Sequence, residues 1–138
     1  MFLFGSKPHA LDSDELDAFF DALGHADETE LLRMRAAWKA VGVPAHQEAW
    51  EGVRAVAARD GLSREVSRVR DRAMAWASKG NDLAAYQISN SSMWAQIKLE
   101  AEEAIVDIAL GIALGDRLDD RTRETLLAAM GGGEQTTD

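Results

Sequence analysis

The chain has 138 residues, no cysteine, 46% hydrophobic residues and a formal net charge of −9. This length predicts one domain with a hydrophobic core of its own, and the lack of cysteine excludes disulfide bonds, thiol catalysis and cysteine metal sites. The acidic balance argues against nucleic acid as the main ligand, because affinity for nucleic acid depends largely on neutralising phosphates.

The N-terminal residues are apolar but do not match a secretory signal. The chain begins with Met1, Phe2, Leu3 and Phe4, and it lacks the basic start, the long apolar stretch and the cleavage site of a signal peptide. No apolar run approaches the roughly 20 residues that a membrane span requires. We therefore expect a cytoplasmic protein in which residues 1–11 form an apolar arm. The arm is expected to contact a protein partner or, in a homodimer, a second copy of the chain.

Two helices are predicted directly after the arm. Asp12 and Glu15 match a capping box at the start of the first helix, and Gly24 is expected to end it. Asp27 is predicted to begin the second helix, which ends before Gly42.

The next helices are marked by proline, serine and glycine. Pro44 favours the first turn of a third helix that runs to about Arg59, because proline has a fixed φ and no N–H to leave unpaired. Ser63 is expected to begin a fourth helix that ends at Gly80. A fifth helical region is predicted next, and it either runs unbroken to Leu114 or breaks at the polar residues 89–92. We expect a kink or break there, which leaves a short helix at 83–88.

The segment 92–115 is the most apolar part of the chain. Within residues 104–114, only Asp107 and Gly111 lack an apolar side chain. A helix this apolar must be enclosed by neighbours, so we predict an all-α fold, a compact bundle of five or six helices around a central apolar helix at about 92–115. Gly111 and Gly115 are expected to let the backbone of another helix approach closely.

The end of the chain predicts one more helix and a tail. Asp119 or Asp120 is expected to start the last helix, and three glycines and polar residues follow it. The predicted domain organisation is an apolar arm at 1–11, a single helical domain at 12–130 and a disordered tail at 131–138. Nothing in the pattern indicates a strand.

Asp107 shares one face of the central helix with polar neighbours. Gln96, Glu100 and Glu103 precede it at steps of three and four residues. We therefore expect Asp107 to continue a polar edge that faces solvent.

Two pairs of glutamates indicate an alternative, a divalent metal site. Glu48 and Glu51 lie on the third predicted helix and Glu100 and Glu103 on the central one, and Mg²⁺ or Mn²⁺ binds where several carboxylates converge. This arrangement resembles the paired acidic motifs of the all-α nucleotide pyrophosphohydrolases of the MazG type. The resemblance covers only these positions and implies a metal-dependent hydrolase. It departs from that family because Asp107 follows Glu103 by four residues instead of three.

The fourth predicted helix carries a row of arginines at intervals of four, Arg64, Arg68 and Arg72. The row lies in the segment 54–72, where six arginines outweigh three acidic residues for a net charge of +3. Guanidinium groups bind phosphates and acidic protein surfaces through paired hydrogen bonds, so the row is a candidate site for an anion or a partner. The alternative is that these arginines pair with the acidic face of the central helix.

The histidines and tryptophans form no catalytic pattern. His9, His25 and His46 are predicted in loops or at helix ends, as exposed side chains or local caps, and no Ser-His-Asp order accompanies them. The four tryptophans have helical apolar spacing, which predicts core packing. One or two of them lining a ligand cavity is the alternative.

These observations favour a non-enzymatic helical module for protein–protein interaction or regulation. It is expected to bind a partner or itself through the apolar N-terminus and the basic surface of the fourth helix, and no cofactor is expected. The alternatives are the metal-dependent hydrolase described above and a binder of anionic ligands that uses Arg64, Arg68 and Arg72.

Overall fold

The computed structural model describes residue 11, residues 13–78 and residues 90–131. These residues form seven α-helices and no strand, which confirms the all-α prediction. The helices are α1 (Asp14–Leu23), α2 (Glu28–Val41), α3 (Val43–Asp60), α4 (Ser63–Ser78), α5 (Asn90–Glu100), α6 (Glu102–Leu114) and α7 (Asp120–Gly131), with a 3-10 turn at Gly115–Arg117. The predicted N-terminal contact residues Met1 to Phe4, the short helix at 83–88 and the tail from 132 lie outside the described residues.

Side-chain caps start several of the helices. The N-cap of α1 is Ser13, whose hydroxyl accepts a hydrogen bond from the Leu16 amide at 3.1 Å, so the prediction that Asp12 starts this helix is wrong. Asp27 caps α2 as predicted, and Asp119 accepts from the Thr122 amide at 2.7 Å at the start of α7. Each cap satisfies an amide that the helix itself leaves unpaired.

Helix α6 forms the centre of the core, as the apolar pattern predicts. Every residue from Ala104 to Gly111 is buried, and so is Leu114. The helix packs most extensively against α4 and α7, and it also contacts α1 and α2. The largest fully buried side chains of α6 are Ile105, Ile108, Leu110 and Leu114.

The central helix is interrupted at Ala101. The predicted break at 89–92 is wrong for residues 90–92, which already belong to α5. Ala101 has φ −91° and ψ 3°, and its amide is shared between the carbonyls of Ile97 at 3.0 Å and Lys98 at 3.2 Å. Ala101 is itself buried. The interruption separates α5, which packs against α2 and α4, from α6, which also reaches α1 and α7.

The two glycines of the central segment have different roles. A Cβ on Gly111 would lie 2.8 Å from Leu127 Cδ2 and 3.2 Å from Leu126 Cβ, so α7 approaches α6 closely there, as predicted. The same prediction is wrong for Gly115, where a Cβ would meet no atom of the described residues within 4 Å. Gly115 instead has φ +48°, a backbone conformation that glycine adopts most readily.

No helix in the described ranges is both long and apolar enough to span a bilayer.

Candidate functional site

Asp107 is one of three buried polar or charged residues in the described part of the chain, with a relative exposure of 2%. The prediction that it continues a solvent-facing edge is therefore wrong. Helix α6 carries it into the region where α2 and α3 pack against the core. An ionised carboxylate in such a place needs hydrogen-bond donors, because burial without partners is costly.

Two tryptophans from different helices supply those donors. The indole Nε1–H of Trp38, on α2, donates to Asp107 Oδ2 at 2.8 Å. The indole Nε1–H of Trp50, on α3, donates to Asp107 Oδ1 at 2.9 Å. Each carboxylate oxygen thus holds one indole, and this single side chain links three helices.

His46 completes the cluster, and it is buried, so the prediction of an exposed or capping histidine is wrong. Its ring stacks on Trp38 with centroids 4.1 Å apart and planes 19° apart. Its Nε2 lies 2.7 Å from the Trp38 carbonyl oxygen, which only accepts, so Nε2 carries a proton and donates it there. Its Nδ1 lies 3.4 Å from Asp107 Oδ2 and makes no hydrogen bond to any described residue.

Burial and hydrogen bonding shift the pKa of Asp107 in opposite directions. Desolvation raises the pKa of the Asp107 carboxyl above its ordinary value, and the negative charge of Glu103 also raises it. The hydrogen bonds from the two indoles and the proximity of His46 lower it, but burial is the largest effect. The folded protein therefore binds a proton at Asp107 more tightly than the unfolded chain does.

The buried cluster forms one wall of an open cleft of about 840 Å³ between α2, α3, α4 and α6. Trp38 and Trp50 are half-buried and line it. Two large apolar side chains that are exposed also line it, Val43 at 65% and Met74 at 39%. The cleft therefore exposes apolar surface next to the buried polar cluster.

The same cleft carries charges of both signs. Arg54 on α3 and Arg70 on α4 contribute positive charge, and the negative charge comes from Glu51 on α3 and from Glu102 and Glu103 on α6. Among the described residues, none of these five side chains takes part in an ion pair or a hydrogen bond. The charges share one cleft without neutralising one another.

The four glutamates of the predicted metal site lie in different surroundings. Glu48 pairs with Arg121 at 3.2 Å and Glu100 with Arg35 at 3.8 Å, whereas Glu51 and Glu103 line the cleft. No group of three or more His, Cys, Asp or Glu residues in the described ranges is arranged to hold a metal ion.

The predicted arginine row is partly used inside the molecule. Arg72 pairs with Asp17 of α1 at 3.0 Å, and its guanidinium lies 4.3 Å from the centre of the Phe20 ring. Its partner is thus an acidic residue of α1, and not one of the central segment. Arg64 and Arg68 are exposed, and Arg68 also interacts within the molecule.

A second groove of about 800 Å³ lies between α1, α2, α6 and α7. Its lining is largely apolar and includes Phe19, Ile112, Leu127 and the exposed Met130. Charged residues at its edge form ion pairs. Arg33 pairs with Glu30, and Arg123 pairs with Asp116. Both arginines among the described residues of this groove are therefore paired, unlike Arg54 and Arg70 of the first cleft.

Most polar atoms of the cluster already have a hydrogen-bond partner within it. Both oxygens of Asp107 accept from indoles, and the Nε2 proton of His46 is used by a backbone carbonyl. A general base or nucleophile must present a free atom to its substrate. Both oxygens of Asp107 already accept hydrogen bonds, and the one unpartnered nitrogen of the cluster, His46 Nδ1, is buried. The cluster fixes the positions of the two indoles that line the cleft.

The fold and the site define an all-α protein with an open, mixed-charge cleft built on a buried aspartate. In comparisons with known proteins, no family model, no curated protein and no solved structure matches the chain. The resemblance of its acidic motifs to nucleotide pyrophosphohydrolases is thus not accompanied by a family match.

Proposed function

We propose that this chain is a non-enzymatic protein–protein interaction module whose binding surface is the cleft beside Asp107. The proposal is based on the residue composition of that cleft. Tryptophan, methionine and arginine are the side chains enriched at the centres of protein interfaces, and here Trp38, Trp50, Met74 and Arg70 line one cleft.

The exposed apolar residues support a macromolecular partner. The described residues include four large hydrophobic side chains that are exposed, Leu32, Val43, Met74 and Met130, and two of the four lie in this cleft. Apolar surface next to unpaired charges is typical of a contact site, because a partner that covers it gains both hydrophobic burial and new ion pairs.

The buried cluster prepares this surface for binding. Asp107 fixes the indole N–H groups of Trp38 and Trp50, so the aromatic wall of the cleft is ordered before a partner arrives. A side chain that is already ordered loses little further conformational entropy on binding. Met1 to Phe4, Arg64 and Arg68 remain predicted additional contacts.

Site-specific photo-crosslinking tests the proposal. A benzophenone-bearing amino acid replaces Val43 or Met74 in the cleft, and Leu32, which is equally apolar and 41% exposed but lies outside the cleft, serves as the matched control position. Irradiation of the pure chain and of a lysate of its source cells, followed by mass spectrometry, identifies the product. We expect one defined protein to be crosslinked from Val43 and Met74 and not from Leu32. Equal yields from all three positions, or no product, would contradict the proposal.

A further inference from the structure

We infer that the protein that occupies the cleft is a second copy of this chain, joined to the first by a two-fold axis. This inference rests on the proposed function and names the partner of the same site. Its basis is the arrangement of charge in the cleft, and not the apolar surface alone.

The cleft carries charges of opposite sign on different helices. Helix α4 contributes Arg70, helix α6 contributes Glu102 and Glu103, and α3 contributes Arg54 and Glu51. No nitrogen–oxygen pair among these side chains comes within 4 Å in the described structure. Unpaired charges of both signs at one site predict a partner that also carries both signs.

A second copy of the same surface meets that requirement. Under a two-fold axis, if residue i of one copy contacts residue j of the other, then j of the first contacts i of the second. Arginines of one copy therefore meet glutamates of the other twice over. A purely acidic partner would match Arg54 and Arg70 but would be repelled by the three glutamates, and a purely basic partner has the converse problem.

The apolar residues complete the self-complementary surface. Val43 and Met74 lie among these charges and are exposed in the single chain. Paired about the axis, they would be covered while the charged side chains surround them, which is the usual arrangement of an apolar centre and a polar rim.

A charge-exchange experiment tests the two-fold contact. One variant carries Arg54→Glu and Arg70→Glu, and the other carries Glu51→Arg and Glu103→Arg. All four residues are exposed and make no ion pair among the described residues, so the substitutions break no internal pair. In each variant alone, like charges would face each other across the axis. In an equimolar mixture, an acidic cleft would face a cleft in which four arginines outnumber the one remaining glutamate, Glu102.

We expect the wild-type chain to sediment as a dimer and each variant alone to lose association by more than about tenfold. The equimolar mixture should recover the mass of two chains, with one copy of each variant. The inference is overturned if the wild type is monomeric at every concentration, if either variant alone associates like the wild type, or if the mixture of folded variants stays monomeric. Circular dichroism and the thermal midpoint establish folding, and the single variants Arg70→Glu and Glu103→Arg replace any double variant that does not fold.

The photo-crosslinking result distinguishes failure of the two-fold contact from failure of the proposed protein-binding function. A monomeric wild type whose Val43 and Met74 positions crosslink to a different protein would overturn the self-association and leave the proposed function intact. A monomeric wild type that gives no crosslink from these positions would overturn both.

Discussion

Two indole N–H groups and one imidazole surround the Asp107 carboxylate, and this one side chain connects α2, α3 and α6. A hydrogen bond to a charged group contributes more than one between neutral groups, and removing the acceptor leaves buried donors unpaired. The cost of altering Asp107 should therefore greatly exceed the cost of altering an exposed aspartate.

Asp107→Asn tests this role at the level of the single residue. Asparagine keeps the shape of the side chain, but its NH₂ group faces an indole N–H that needs an acceptor. We expect the free energy of unfolding at pH 7 to fall by about 1–3 kcal/mol, measured by chemical denaturation. The matched control Asp71→Asn, at an exposed position of α4, should leave the unfolding midpoint unchanged.

The pH dependence of the same variant follows from the raised pKa of Asp107. Because the pKa is higher in the folded protein, protonation of Asp107 stabilises the fold. This stabilisation is fully present below the pKa in the unfolded chain, about 3.9, and is lost as the pH rises through the pKa in the folded protein. Because asparagine does not titrate, the advantage of the wild type over Asp107→Asn should shrink as the pH rises above about 4. Repeating the comparison in the His46→Gln background removes the neighbouring imidazole. An advantage that grows with pH would show instead that the indoles hold the carboxylate as an anion.

The sequence contains part of the signal for this cluster. Asp107 is the one charged residue in the apolar run 104–114, and His46 and Trp50 are four residues apart, which places them on one face of α3. A helical-wheel projection of the central helix places Asp107 on the same face as Glu103, and this position predicts that Asp107 is exposed to solvent. Only the tertiary packing, which brings α2 and α3 over this position, reveals that Trp38 and Trp50 supply the donors.

At the scale of elements, the contact between α6 and α7 depends on the absence of a side chain at Gly111. A Cβ there would lie 2.8 Å from Leu127 Cδ2 and 3.0 Å from Leu127 Cγ. Glycine within a helix costs about 1 kcal/mol relative to alanine, so the close packing of α7 must offset that cost.

Gly111→Ala should therefore destabilise the protein even though alanine favours helix formation. Overpacking typically costs ~1–3 kcal/mol and exceeds the gain in helix propensity. A double-mutant cycle with Leu127→Ala, read by thermal or chemical denaturation, separates the two effects. In the Leu127→Ala background the same substitution should be close to neutral or stabilising. An equal cost in both backgrounds would place the origin of the effect elsewhere than the contact with Leu127.

Several ends of the helices could be predicted from the sequence, whereas the interruption of the central helix at Ala101 could not. Asp27, Gly42 and Gly61 stand at helix ends in the structure, and short polar or glycine residues mark such ends locally. Ala101 carries no such mark, because alanine favours the helix interior. The interruption at Ala101 coincides with a change in packing partners between α5 and α6.

Lys98 is a second feature that local patterns do not reveal. It is buried, and its ammonium lies 4.3 Å from the ring of Trp76 and 4.6 Å from that of Trp94. The apolar spacing of these tryptophans predicts core packing, and both are half-buried. The contact joins α4 to α5 through a cation held between two aromatic rings.

At the scale of the whole molecule, the net charge of −9 opposes association of two copies at long range. Association therefore requires local charge matching. The basic segment 54–72 supplies Arg54 and Arg70, and the acidic residues of α6 supply Glu102 and Glu103 in the same cleft. The fold thus brings residues from a basic segment and from an acidic helix together on one surface that carries both signs of charge.

Sedimentation equilibrium of the unmodified chain, together with Val43→Glu in the cleft and Met130→Glu in the second groove, tests this account most directly. Both substitutions place a charge on an exposed apolar site, so they are matched in chemistry and differ in location. If two copies associate through the cleft, the mass of the wild type should rise with concentration to twice 15.0 kDa. The Val43→Glu variant should be monomeric, and the Met130→Glu variant should behave like the wild type. A wild type that remains at the mass of one chain, or a dimer lost in Met130→Glu and retained in Val43→Glu, would contradict it.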